Sequence, residues 1–131
     1  IDYQKEKKTS CVFRTFQADI NKLRRTGVAE IDDNDVIISM EEKPQEPKSN
    51  WAIPPFYIFT SNDLKYIPEA LNSGVSADAP GSFLSYLVSK TKVHAFLMNG
   101  HRYDVGTIES YNEIKENYKL YLIKVCLVKF L

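Results

Sequence analysis

The chain has 131 residues, 44% hydrophobic and 26% charged, a composition that fits one folded domain and excludes a disordered segment. Seventeen basic residues balance seventeen acidic ones, so no overall field draws it to nucleic acid or an anionic membrane. Any phosphate site must therefore be local.

The two cysteines, Cys11 and Cys126, have no CxxC spacing and no histidine cluster, which favours free thiols in a reducing cytoplasm over a disulfide. The N-terminus, Ile1-Asp-Tyr-Gln-Lys-Glu-Lys-Lys8, is polar and has no apolar run of the kind a signal peptide carries. It also lacks an initiator methionine, and the expectation is a fragment or a processed chain. The most apolar stretch, Leu120–Leu131, is shorter than the about 20 residues of a membrane span and carries Lys124 and Lys129. It reads as a buried final element or as an interface.

In chain order, residues 1–8 read as the end of a polar helix, and Thr9–Phe16 has the β-branched and aromatic content of a strand. Asp19 is placed to cap a short helix through Arg25, with Gly27 ending it. Val28–Ile31 and Val36–Glu42 flank Asp32-Asp-Asn-Asp35 and predict a hairpin. Lys43–Asn50 is a loop, because Pro44 and Pro47 block both helix and central strand. Trp51–Phe59 predicts a strand with an edge or bulge at Pro54-Pro55. Ser61 or Asn62 caps a helix to about Leu71, which ends at a left-handed Gly74. After a turn at Asp78-Ala-Pro-Gly81, Phe83, Leu84, Leu87 and Val88 form one apolar helical face. Val93–Met98 and Arg102–Val105 predict strands joined at Asn99-Gly100. From Thr107, Ile108, Tyr111, Ile114 and Tyr118 recur at helical spacing. Strands alternate with helices and hairpins are mixed in, so the fold class is α/β with a mixed sheet, in a single domain over 1–131.

Two places could carry chemistry. Glu41-Glu42-Lys43-Pro44 closes a strand, where a rigid side chain can meet a ligand. The Lys43 ammonium can neutralise a phosphate, and Glu42 can accept hydrogen bonds from sugar hydroxyls. The plain alternative is a solvated charge run. At Tyr103-Asp-Val-Gly-Thr107 a strand delivers Asp104, Gly106 permits a tight turn and Thr107 caps the next helix. Asp104 suits a hard divalent cation there, or else simply satisfies amides of the turn. His94 and His101 make no metal-binding spacing.

In order along the chain come Gly27-Val-Ala-Glu, then Glu41-Glu-Lys-Pro44, then Phe56-Tyr-Ile-Phe59, then Arg102-Tyr-Asp-Val-Gly-Thr107. This ordered set, over roughly residues 5–118, resembles the C-terminal part of the sugar-1-phosphate nucleotidyltransferases, the glucose-1-phosphate thymidylyltransferase and mannose-1-phosphate guanylyltransferase family. Asp78–Leu87 is also similar to a segment of bacterial members. The resemblance implies a Rossmann-like mixed-sheet fold and a reaction joining a nucleoside triphosphate to a sugar 1-phosphate. It implies that Glu42 binds sugar hydroxyls, Lys43 binds the 1-phosphate, and Gly27 lets the backbone approach the sugar. Ile53 and Tyr57 fall at sugar-pocket positions, and Asp104 would be one of two aspartates holding catalytic Mg2+. Because both motifs sit at strand-to-loop junctions, Lys43 and Asp104 are expected on one side of the sheet, each at the carboxyl end of its strand.

Three departures stand out. Pro55 replaces a family glycine, Arg102 replaces a tryptophan, and these 131 residues contain no glycine-rich nucleotide loop. The isolated chain is thus expected to be inactive, and a non-catalytic sugar-phosphate-binding or regulatory module is the alternative. Homo-oligomerisation stays open.

Overall fold

The computed structural model describes residues 1–99 and 105–129, with 119–129 as backbone. The chain forms two compact units, Ile1–Met98 and Asn99–Leu131.

The first unit is built on a six-stranded mixed sheet. Its elements are α1 (Asp2–Lys7), β1 (Ser10–Phe16), α2 (Ile20–Leu23), β2 (Gly27–Ile31), β3 (Ile37–Glu42), β4 (Trp51–Ile53), β5 (Tyr57–Ile58), α3 (Ser61–Leu64), α4 (Ile67–Asn72), α5 (Pro80–Val88) and β6 (Val93–Leu97). The strand order is β3-β2-β4-β1-β5, with β6 parallel to β1 and the remaining pairs antiparallel. The second unit carries α6 (Ile108–Lys129), whose first turn is capped by Thr107: its hydroxyl oxygen accepts from the Ser110 N–H at 3.1 Å. The expected Asn99-Gly100 hairpin and the strand from Arg102 lie outside the described residues. Among those described, no helix is long and apolar enough to cross a membrane.

The elements follow their residues, with the differences below. Asp19 caps α2 as expected, its carboxylate accepting from the Asn21 N–H at 2.9 Å, but the helix stops at Leu23. Gly27 does not end it; it opens β2, fully buried. Pro54-Pro55 splits the predicted Trp51–Phe59 strand in two. β4 pairs with the end of β1 (Thr15 with Ala52) and β5 with its start (Cys11 with Ile58), so the register slips by two residues across the prolines.

The predicted helix after β5 is capped by Thr60, whose hydroxyl oxygen accepts from the Asp63 N–H at 3.1 Å, rather than by Ser61 or Asn62. It breaks before Pro68, whose ring and missing N–H fit only a new first turn, so α3 and α4 replace one helix. Gly74, at φ 89°, ends α4 in the left-handed region as predicted. Finally, Pro80 and Gly81 are the first two residues of α5, not a turn before it.

The core lies between α5 and one face of the sheet. Leu84 and Leu87 pack with Val12, Ala29, Ile37, Ile53, Val93 and Ala95, all below 5% exposure. Two polar features tie the periphery to this core. Ser10, wholly buried on β1, donates to the Asp63 carboxylate at 2.5 Å and accepts from the Thr60 N–H at 3.0 Å, fixing α3 to the sheet. On the other side, Tyr3 of α1 packs on Phe96, with ring centroids 5.0 Å apart, and its hydroxyl lies 3.4 Å from Asp35. The histidine expected on a strand, His94, sits on β6 with Nδ1 2.7 Å from the Thr9 hydroxyl, and burial pushes its pKa down.

Asp63→Ala should cost about 1–3 kcal/mol, because it leaves the buried Ser10 hydroxyl without its acceptor. Urea unfolding measures this, and Asp63→Asn, which keeps an acceptor, should cost less. Burial and the Asp35 carboxylate push the Tyr3 phenol up to about 12. Its proton is retained in the folded state above pH 10 and lost in the unfolded one. The stability this gives is complete below pH 10 and disappears as pH rises towards 12. Unfolding free energies measured over that window should fall less steeply for Tyr3→Phe than for the parent.

Candidate functional site

The candidate site is set by strand register. Gly27 pairs with Glu42 of β3 on one side and with Ile53 of β4 on the other, so Ile53, Gly27 and Glu42 form one row across three strands. Beyond Gly27 the row is closed by Thr26. Its carbonyl accepts the Lys43 N–H at 3.1 Å, and its hydroxyl donates to the Ile53 carbonyl at 3.2 Å.

Lys43 leaves the strand with φ at 50°, a left-handed backbone that a residue with a side chain adopts at a cost. This turns the lysine out of the sheet. Its side chain is exposed, and it has no ion pair among the described residues. Pro44, just behind it, is buried and anchors the loop. Adjacent residues thus occupy opposite environments, with Lys43 in solvent and Glu42 facing inward.

Glu42 has an unusual setting. Its Oε2 is buried and has no hydrogen-bond partner among the described residues. A buried acceptor left unpaired costs about 1–3 kcal/mol, so the position is suited to a donor from outside the chain. Two glycines make the space. A Cβ on Gly27 would stand 2.5 Å from Met40 Cε and 3.1 Å from Glu42 Oε2. A Cβ on Gly81 would overlap Glu42 Oε2 and approach Cδ to 2.7 Å. Gly81 is the second residue of α5 and has no positive φ, so its own backbone does not call for glycine.

Tyr57 is half-buried beside the core, and burial first, then the Glu42 charge, push its phenol pKa up. The phenol therefore stays protonated and able to donate. Ile53 is 1% exposed, so it supports Gly27 from within the core rather than presenting open surface.

The structure thus brings together Gly27, Glu42, Ile53 and Tyr57, with Lys43 exposed one residue beyond Glu42. Asp104, like Tyr103, Arg102 and His101, lies outside the described residues. Among the described residues no group of three or more His, Cys, Asp or Glu side chains could hold a metal ion. Cys11 is a free buried thiol, its pKa raised by burial. Sequence reasoning missed Gly81 and Met40 as neighbours of the site. The Asp78-Ala-Pro-Gly81 segment had signalled the family, but nothing in it reveals contact with Glu42.

The sequence profile described as "Nucleotidyl transferase" matches residues 1–120. The glucose-1-phosphate adenylyltransferase of Clostridium acetobutylicum is 34% identical over 113 residues, covering 84% of this chain and 30% of that protein. The enzyme of the same name from Fervidobacterium nodosum is 35% identical over 96 residues, covering 72% and 23%. Among solved structures, a Bacillus anthracis protein described as a glucose-1-phosphate thymidylyltransferase is similar at a TM-score of 0.64 and 26% identity, over 86% of this chain and 44% of that one. A UDP-glucose pyrophosphorylase shares the fold at a TM-score of 0.71 and 21% identity, over 92% and 47%.

The chain therefore spans under half the length of the solved proteins and under a third of these curated relatives. The expected C-terminal placement is corrected by the adenylyltransferases, in which the matched stretch lies on the N-terminal side. The fold is the α/β, Rossmann-like mixed-sheet fold of these enzymes. With a family profile along nearly its whole length, the chain belongs to the nucleotidyl transferase family, among the sugar-1-phosphate nucleotidyltransferases.

Proposed function

We propose that this chain is the sugar-phosphate-binding portion of an enzyme that joins a nucleoside triphosphate to a sugar 1-phosphate, releasing pyrophosphate. The observation that carries the reading is the buried, unpartnered Oε2 of Glu42 held between two glycines. A sugar hydroxyl donating to that oxygen would remove its penalty. The Tyr57 phenol would remain neutral as a second polar group, and the exposed Lys43 ammonium, one residue on, would meet the 1-phosphate. In the reaction a phosphate oxygen of the sugar 1-phosphate attacks the α-phosphorus of the triphosphate and pyrophosphate leaves. These residues contribute positioning and charge neutralisation.

Magnesium, when bound, would supply further stabilisation of charge on the transferred group, with Asp104 as its proposed ligand in this chain. The described residues alone do not form such a site, so no step is assigned to it. The portion is proposed to work as one unit over 1–131, in the cytoplasm. A second reading, binding without turnover, is favoured for the isolated chain by the absence of any Gly-x-Gly cluster from its sequence. Incubated with a nucleoside triphosphate, glucose 1-phosphate and magnesium, the isolated chain should release no pyrophosphate.

The direct test is Lys43→Ala. Loss of one charge-assisted hydrogen bond to phosphate should weaken glucose 1-phosphate binding about ten- to a hundredfold in titration calorimetry. Because Lys43 is exposed, the thermal midpoint should hardly move. Unchanged affinity would mean that Lys43 is simply solvated and that the proposed phosphate contact is wrong.

A further inference from the structure

Resting on that reading of Glu42, we propose that Gly81 is a positioning residue: its missing side chain is the space in which the Glu42 carboxylate stands ready for a sugar hydroxyl. The three heavy atoms nearest to a Cβ built on Gly81 are Oε2, Cδ and Oε1 of Glu42, the last at 3.4 Å. The backbone gives no reason for the glycine, since Gly81 is the second residue of α5 and its φ is not left-handed.

The contrast with the other glycines is informative. Gly74 is required by its φ of 89°, and a Cβ there would meet nothing within 4 Å. Gly27 must also make room for Met40. At Gly81 the nearest atoms among the described residues all belong to the Glu42 carboxylate, so what this glycine first makes room for is an inward-turned Glu42.

What would yield to a methyl at this position also matters. The clash falls on the far end of a flexible side chain, not on backbone. Glu42 can rotate away while α5 and the sheet stay in place, because α5 is held independently by Leu84 and Leu87 in the core. Alanine is moreover the better helix former. Gly81→Ala should therefore preserve or raise stability while moving the carboxylate out of the space beside residue 81. A residue with only a packing role would show the reverse, with stability falling and binding following it.

The experiment measures binding of glucose 1-phosphate and of inorganic phosphate to the chain by calorimetry, beside thermal unfolding. The variants are Gly81→Ala, Glu42→Ala and the double substitution. Gly81→Ala and Glu42→Ala should each weaken glucose 1-phosphate binding about tenfold and leave inorganic phosphate unaffected, since Lys43 is intact. In the Glu42→Ala background, Gly81→Ala should change binding no further and should not lower the thermal midpoint, because the overlapping carboxylate is gone. The thermal midpoint of Gly81→Ala should be no lower than that of the parent.

If Glu42→Ala weakens binding and Gly81→Ala does not, the inference fails while the sugar site stands. If Glu42→Ala has no effect, or the parent binds neither probe, the sugar-site reading fails and takes the inference with it. A Gly81→Ala protein that unfolds early, and whose loss persists in the double variant, would assign the glycine to packing and overturn the proposal.

Discussion

The pairing of Gly27 with both Glu42 and Ile53 is the constraint on which the site depends. Side chains alternate across a strand, so a slip of one residue between β2 and β3 would send Glu42 to the opposite face and bring Glu41 or Lys43 inward, and one between β2 and β4 would turn Ile53 away. The register is held at that end by Thr26, which bonds both neighbouring strands. The core specifies it further, since Ala29, Ile37 and Ile53 must face α5 together. The sheet thus supplies the precision, and the loop after Glu42 supplies only the exposed lysine.

The same register explains why an unfavourable group can persist. A buried acceptor without a donor and a non-glycine residue at φ 50° are each destabilising by an amount of order 1–3 kcal/mol, and they sit next to each other at positions 42 and 43. The left-handed backbone at Lys43 cannot relax without disturbing its hydrogen bond to Thr26 and the strand pairing beside it. Local strain concentrated at one strand end, above a well-packed α5 interface, is the distribution expected where binding rather than stability has shaped the residues.

Much of the fold was legible because it rests on local chemistry. The Asp19 cap, the left-handed Gly74 and the hairpin around Asp32–Asp35 need only neighbouring residues, and all three hold. The failures are tertiary or depend on competition between adjacent signals. Thr60 displaced Ser61 and Asn62 as a cap because β5 ends just before it and Ser10 holds its amide. Gly27 read as a helix stop because glycine after a short helix usually is one; its real requirement comes from Met40 and Glu42, which are remote in sequence. Glu42, Lys43, Gly27, Ile53 and Tyr57 were legible as members of a site only through the ordered family motifs. No periodicity in the chain distinguishes Glu42 from Glu41, its exposed neighbour.

That neighbour shows what burial adds to a charge. Glu41 and Lys43 flank Glu42 and are both exposed, so water and salt screen them strongly. Glu42 Oε2 is shut away from solvent, where each hydrogen bond counts for more and an unmet one costs more. On the proposed reading the two ends of one small ligand meet these two regimes. The sugar hydroxyl enters the enclosed end, where an ill-fitting group leaves a buried acceptor unsatisfied, and that end discriminates. The phosphate stays at the solvent end beside Lys43, where attraction is broad and reach is free. A nucleophilic phosphate oxygen held at the open end remains accessible to a triphosphate arriving from outside, while the sugar behind it is fixed. On that reading selection and reactivity would be separated by one peptide bond, at the point where Lys43 leaves the strand through a left-handed backbone.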